Sequence, residues 1–279
     1  MEDDHGAGRG SLILGGAARN VSIATLSTLI FFTVLVLVVV NAPGWEAVKH
    51  GFFDPTIFRQ YFRTIGHGFV LNIKVAIAAE VLILVFALGL AVVRSLPGPV
   101  FFPLRLMAIM YTDVFRGIPT ILLVYLFGEG IPALGLSHVT RDPVKLGALA
   151  LVVIYTAYVA EVYRAGIESV HPSQEAAARS LGLSRGQALR AVVLPQAVRR
   201  VVPPLLNDFI GLQKDTALLA VIGPVDALQR AQIGAASEFN YTPLVVTAFF
   251  FVLITIPQAR FTDWLINRQR RRQMAGGQV

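Results

Sequence analysis

The chain has no cysteine, so no disulfide braces it and no thiolate site holds a metal. It is also short of charge: only 15% of its 279 residues are Asp, Glu, Lys or Arg, against about a quarter in a soluble domain. Acids are scarcer than bases, 17 against 24, and the formal net charge is +7. That sign invites a nucleic-acid reading. The bases, however, gather at the ends of apolar blocks, as the positive-inside bias requires of cytoplasmic loops, so no nucleic-acid partner is expected. Five histidines (His5, His50, His67, His138 and His171) lie far apart and make no ligand spacing, which argues against a metal site. A G-x-x-x-x-G-K-[ST] phosphate loop is missing too, so the chain has no nucleotide cradle and is not expected to be an enzyme.

What the chain has in abundance is apolar sequence, 55% of it, with a mean hydropathy of +0.65. The apolar residues come in blocks over 21–40, 69–93, 146–160, 201–223 and 244–257. The first has no charge, and about 20 such residues suffice for a helix to cross a bilayer core. It is too long for the apolar part of a secretion signal, about 7–15 residues, and no A-x-A-like site follows it. The fold class predicted is an all-α polytopic membrane protein of about six helices. The expected layout is a cytoplasmic tail over 1–20, a first transmembrane helix over 21–41 and an extracytoplasmic loop over 42–64. A core over 65–263 and a basic cytoplasmic tail over 264–279 complete it. Within the core, 95–99 (SLPGP) reads as an inner turn, 104–127 as the third crossing, 128–143 as an outer loop and 144–162 as the fourth crossing. Arg9, Arg19, Arg268, Arg270, Arg271 and Arg272 then fall inside. Arg59, Arg63, Arg141, Lys145 and Arg230 fall outside, against the bias.

One segment is neither apolar nor a simple turn: HPSQEAAARSLGLSRGQALRAVVLPQ, residues 171–196. Pro172 suits a first helical turn, and Glu175 lies where the helix dipole favours an anion. Glu175 and Arg179 stand four apart, in the favourable order for an ion pair. Ala176, Ala177 and Ala178 favour helix and leave a low surface that another body can approach. Gly182 suits a left-handed cap, and Ser184 with Gln187 three residues on makes a capping box. Pro195 opens the next membrane helix. The segment thus reads as helix, tight bend, helix, membrane. By spacing alone it is either a solvated amphipathic loop or a lever docked in a groove of a cytoplasmic partner.

Charges inside apolar helices are costly and often functional. Lys74 and Glu80 lie in the second helix, and point about 240° apart around it. Lys214, Asp215 and Thr216 lie in the fifth. Lys74 and Lys214 either border a translocation path, where they would favour acidic or neutral substrates, or snorkel to the outer interface or pair within the bundle. Asp113 with Arg116 and Glu161 with Arg164 stand at i,i+3, and each pair can neutralise itself as a structural brace. Gly117 and Pro119 are expected to kink the third helix, and Pro203 and Pro204 the fifth.

The stretch EAAARSLGLSRGQALRAVVLP resembles the EAA loop of the membrane subunits of bacterial ABC importers, with Gly182, Val192, Leu194 and Pro195 at that pattern's spacing. Its flanks, AYVAEVYRAGIESV (157–170), LPQAVRRVVPPLLNDFIGLQKDTAL (194–218) and YTDVFRGIPTILLVYLF (111–127), resemble the polar amino-acid branch of histidine, glutamine and glutamate permeases. The pattern departs at one place: the acid is Glu175, where the family's position falls on Ala176. The resemblance implies a type I-like fold, a five-helix core with an extra N-terminal helix. It implies a multi-pass subunit of the bacterial cytoplasmic membrane that transports a polar or charged amino acid. Partners implied are a cytoplasmic ATPase dimer carrying ATP and Mg, a second permease subunit, the same or homologous, and an extracytoplasmic amino-acid-binding protein. Residues 169–195 would be the ATPase-coupling loop, with Ser173, Gln174, Glu175, Ala176, Ala177, Ala178, Arg179, Leu181, Gly182 and Ser184 at the contact. The alternative is a stand-alone ion-coupled secondary transporter or channel, for which pseudo-symmetric halves would be a sign; no internal repeat is visible.

Overall fold

The computed structural model describes the backbone of residues 7–276 and the side chains of residues 20–269 and Arg271. Residues 1–6 and 277–279 lie outside the described residues, as do the side chains of Arg9, Arg19, Arg270 and Arg272. All regular structure among the described residues is helical. The chain divides into two compact units, Met1–Asp54 and Pro55–Val279.

The first unit holds α1 (Ala7–Val40) and α2 (Trp45–Phe52). From Asn20 to Val40 the mean hydropathy of α1 reaches 2.8 and no residue of that window is buried. Side chains such as Phe31 and Val38 are exposed around the whole helix. A helix apolar on every side suits lipid and not water. Residues 42–64, read from sequence as an outer loop, are largely helical, since they contain α2 and the first turns of the long helix that starts at Pro55.

The second unit is built around α3 (Pro55–Ser95), packed along α7 (Pro143–Glu168). The buried stripe of α3 runs Ala76, Ala79, Ile83, Ala87 and Ala91, at helical spacing. Its larger residues, among them Ile77, Val85 and Phe86, face outward. Small residues inside and large ones outside let helix backbones approach closely where lipid removes any solvent drive for burial. On α7, Ala150, Leu151, Ile154 and Ala160 join that stripe in one cluster, while Gly147 is closed against Leu219 and Ile222 of the segment after α10. Ile65 and Phe69 of α3 join Ala227 and Ala231 of α11 (Ala227–Glu238) and Val246 of α12 (Thr242–Gly276) in a second cluster.

The third crossing expected over 104–127 is broken. α4 (Phe102–Gly117) ends and α5 (Thr120–Tyr125) departs at 103°. Pro119 causes this by having no N–H for the ladder and by forcing the residue before it out of helix. Ile118 accordingly sits at φ −89° and ψ 131°. α5 runs on through a π turn, Leu126–Gly130, into α6 (Ile131–Ala133).

The segment expected to make the fifth crossing is α10 (Leu194–Asp215), about 33 Å long at about 1.5 Å per residue. It continues through Pro203 and Pro204 and gives way to a 3₁₀ helix, Thr216–Ile222. Among the described residues four helices are long and apolar enough to cross a membrane, and five if the bent pair is one span. α10 falls short of that standard because it carries Arg199, Arg200, Asp208, Lys214 and Asp215. The basic tail expected over 264–279 begins as a direct continuation of α12, which passes Pro257 and reaches Gly276.

Candidate functional site

The polar segment folds as its sequence predicts, by local hydrogen bonds. α8 (Pro172–Ser180) starts with the His171 side chain capping the Ser173 N–H. It ends in a Schellman motif: Gly182 sits at φ 89°, its N–H donates to the Arg179 carbonyl at 3.0 Å, and Leu183 N–H donates to the Ala178 carbonyl at 3.3 Å. Two residues on, Ser184 and Gln187 form a reciprocal capping box that starts α9 (Arg185–Ala188). A π turn, Leu189–Val193, then feeds α10.

The ion pair of Glu175 is not the one expected. Its carboxylate meets Arg185 across the bend, at 3.8 Å, and not Arg179. Ala178 and Ala188 are buried, where α8 and α9 meet the rest of the segment. Ala176, Ala177, Arg179 and Ser180 stay exposed, and Leu181 is 85% exposed at the tip. Ala176, Arg179, Ser180, Gly182, Ser184 and Gln187 line an open depression of about 570 Å³.

The segment is also fixed at its root. Val170, Val193 and Ala197 form a small buried cluster. Arg200 donates to the Ser169 carbonyl, and Gln196 donates to Gln174 at 3.4 Å. Behind them α7 and α10 touch at Gly166, where any Cβ would overlap Val201. The segment is thus fastened to α7 and α10 together.

Glu161 brings three helices together just above that root. It pairs with Arg164, as the spacing predicts, and also accepts from Arg94 of α3 at 3.0 Å. Arg94 donates in turn to Thr112 of α4 at 3.3 Å, while Arg164 also pairs with Glu168. The second expected brace does not form. Asp113 and Arg116 are both exposed and make no ion pair among the described residues; the Arg116 guanidinium lies over the Tyr158 ring, 6.0 Å from its centroid. In place of a carboxylate, the cation has found an aromatic face.

The residues offered for a translocation path do not share one environment. Lys74 and Lys214 are exposed. Glu80 is half-buried and lies in the electrostatic reach of Asp208 on α10. Asp215 accepts from the Tyr155 hydroxyl at 2.9 Å. Thr216 is buried and accepts from Asn72 at 3.2 Å. Sequence reasoning passed over Asn72, Tyr155, Asp208 and Asp226. Asp208 lies six residues before Lys214 on one helix, a signal that was present; the other three join only through tertiary packing. Gln213 is 1% exposed and neither amide atom has a partner in the structure.

Helices apolar enough to cross a bilayer, packed against one another through small residues, define a multi-pass membrane protein. The chain belongs to the binding-protein-dependent transport system inner membrane component family, which residues 92–271 match. It is 35% identical over 184 residues to a probable glutamine ABC transporter permease of Bacillus subtilis, covering 66% of this chain and 83% of that one. An arginine transport system permease of the same organism is 31% identical over 191 residues, covering 68% and 85%. Among solved structures, an amino acid ABC transporter matches with a TM-score of 0.71 and 29% identity over 77% of this chain and 98% of that one. A methionine ABC transporter shares the fold, with a TM-score of 0.53 and 20% identity over 72% and 95%. The chain is thus a multi-pass transmembrane subunit of an ABC importer, and the stand-alone transporter reading falls away.

Proposed function

We propose that this subunit imports a polar or charged amino acid into a bacterial cell across the plasma membrane. It pairs with a second permease chain and accepts substrate from an extracytoplasmic binding protein. Residues 171–196 dock on a cytoplasmic ATPase dimer, which carries the ATP and Mg. Closure of that dimer pushes α8, and the root at Val170, Val193 and Ala197 passes the push to α7 and α10. The observation that carries this reading is the exposed tip around Leu181 on a segment otherwise fastened to the bundle. The glutamine and arginine systems among the relatives support the substrate class. Lys74, Glu80, Lys214, Asp215 and Thr216 then lie along or beside the path.

Purification in detergent with the neighbouring transport subunits tests the reading. The ATPase should copurify, and its turnover should rise when loaded binding protein is added. Deletion of residues 173–191 should abolish both effects. Association that survives this deletion would overturn the docking assignment.

A further inference from the structure

At the ends of α3, α4 and α7 nearest the lever, the bundle opens into a half-enclosed cleft of about 430 Å³. Its polar side is lined by Arg94, Arg105 and Arg164, one from each helix. Its apolar side includes Phe102, Leu106 and Ile167, all exposed. A cleft with cationic groups at one end and uncovered apolar side chains beside them suits a molecule that is anionic at its head and oily behind it.

The charges do not cancel. Two carboxylates, Glu161 and Glu168, answer Arg94 and Arg164. Arg105 makes no ion pair among the described residues. Its Nη1 and Nη2 donate to the Leu96 and Gly98 carbonyls at 3.0 and 3.1 Å. A guanidinium has five N–H groups, so those two bonds leave donors for an anion. They also fix Arg105 against the 95–99 turn, and a fixed guanidinium suits a phosphate oxygen. The excess is one positive charge, which one phosphodiester matches.

We propose that this cleft binds one anionic phospholipid of the inner leaflet. Its phosphate lies against Arg105, and its acyl chains run along Phe102, Leu106 and Ile167. The placement in the inner leaflet rests on the reading of 171–196 as the cytoplasmic lever. A free phosphate would satisfy Arg105 but would leave the apolar wall uncovered.

The test uses the full chain, copurified with its companion subunits and analysed by native mass spectrometry. Phosphatidylglycerol and phosphatidylcholine are the probes. Phosphatidylglycerol should be retained preferentially, and Arg105→Gln should lower that preference about fivefold. Arg105→Lys should restore much of it, while Arg141→Gln, a substitution of an exposed arginine outside the cleft, should leave it intact. An elution volume like that of the unsubstituted protein shows that each variant is folded. Equal retention of the two lipids overturns the proposal, as does an Arg105→Gln protein that binds like the parent. Displacement of the lipid by millimolar inorganic phosphate would also overturn it, in favour of a plain anion site. Sidedness is read separately, from Val100→Cys in this cysteine-free chain. Labelling of Cys from the outer side would sink the lever's orientation and the leaflet, while the lipid masses would still judge the cleft.

Discussion

Asn72 and Asp226, 154 residues apart, meet in the interior: the Asn72 amide donates to the Asp226 carboxylate at 2.9 Å. The same amide group reaches Thr216, and its carbonyl oxygen accepts from the Ala227 N–H at 3.1 Å. Asp226 meanwhile caps α11 through the Gln229 N–H at 2.8 Å. One side chain on α3 thus holds the 3₁₀ helix and the start of α11 in place. Gly68 makes room for this, since a Cβ there would strike the Asp226 backbone.

Asn72→Leu should therefore take one donor from the Asp226 carboxylate, which keeps the Gln229 N–H, and remove the acceptor of the Ala227 N–H. The expected cost is about 1 to 2 kcal/mol, read as a lower unfolding temperature in detergent. Thr216→Val, which removes a lesser contact, should cost less. An Asn72→Leu protein that melts with the parent would show that the network holds nothing.

Glu161 is shared by Arg94 and Arg164, so Glu161→Gln should leave Arg94 without a carboxylate and Arg164 with Glu168 alone. We expect a loss of about 2 kcal/mol. Removing Arg94 as well, in Glu161→Gln with Arg94→Leu, should cost less than the sum of the two single changes. A double-mutant cycle measures this directly, and strict additivity would deny the pairing.

Gly166 and Val201 have no space between them. Gly166→Ala should destabilise by about 1 to 3 kcal/mol through overpacking, and Val201→Ala in the same chain should restore most of the loss. If import falls with Gly166→Ala and recovers with the double change, the α7–α10 contact also carries the push from the lever.

Leu181→Asp should leave the bundle folded, since the side chain touches solvent. It should nevertheless cut ATPase turnover stimulated by binding protein at least about tenfold, the loss of about 1.4 kcal/mol at the contact. Leu181→Met should be tolerated. Unchanged turnover with Leu181→Asp would move the docking surface elsewhere on the segment.

The lever was legible because its determinants are short-range. Gly182 in a left-handed cap, the Ser184–Gln187 box and Pro172 in the first turn each act within a few residues. Bonds that cross the bundle leave no such mark. Arg94 reaches Glu161 over 67 residues and Asn72 reaches Asp226 over 154, so neither pairing can be read along the chain. The Glu175–Arg179 pair was favoured by helical spacing but lost to Arg185, which the bend brings back alongside. At Asp113 and Arg116 spacing again suggested a pair, and an aromatic neighbour from α7 prevailed. Pro119 announced a disturbance. Its size, a turn of 103°, needed the packing of α5 against α7.

Because both flanks of Gly182 are stapled from within, the elbow gains its angle before anything touches it. A body pressing on Leu181 cannot unfold that joint cheaply, and must swing it whole. Under the docking proposed above, the stroke delivered to the bundle is set by how far the ATPase travels, with little lost to slack in the handle.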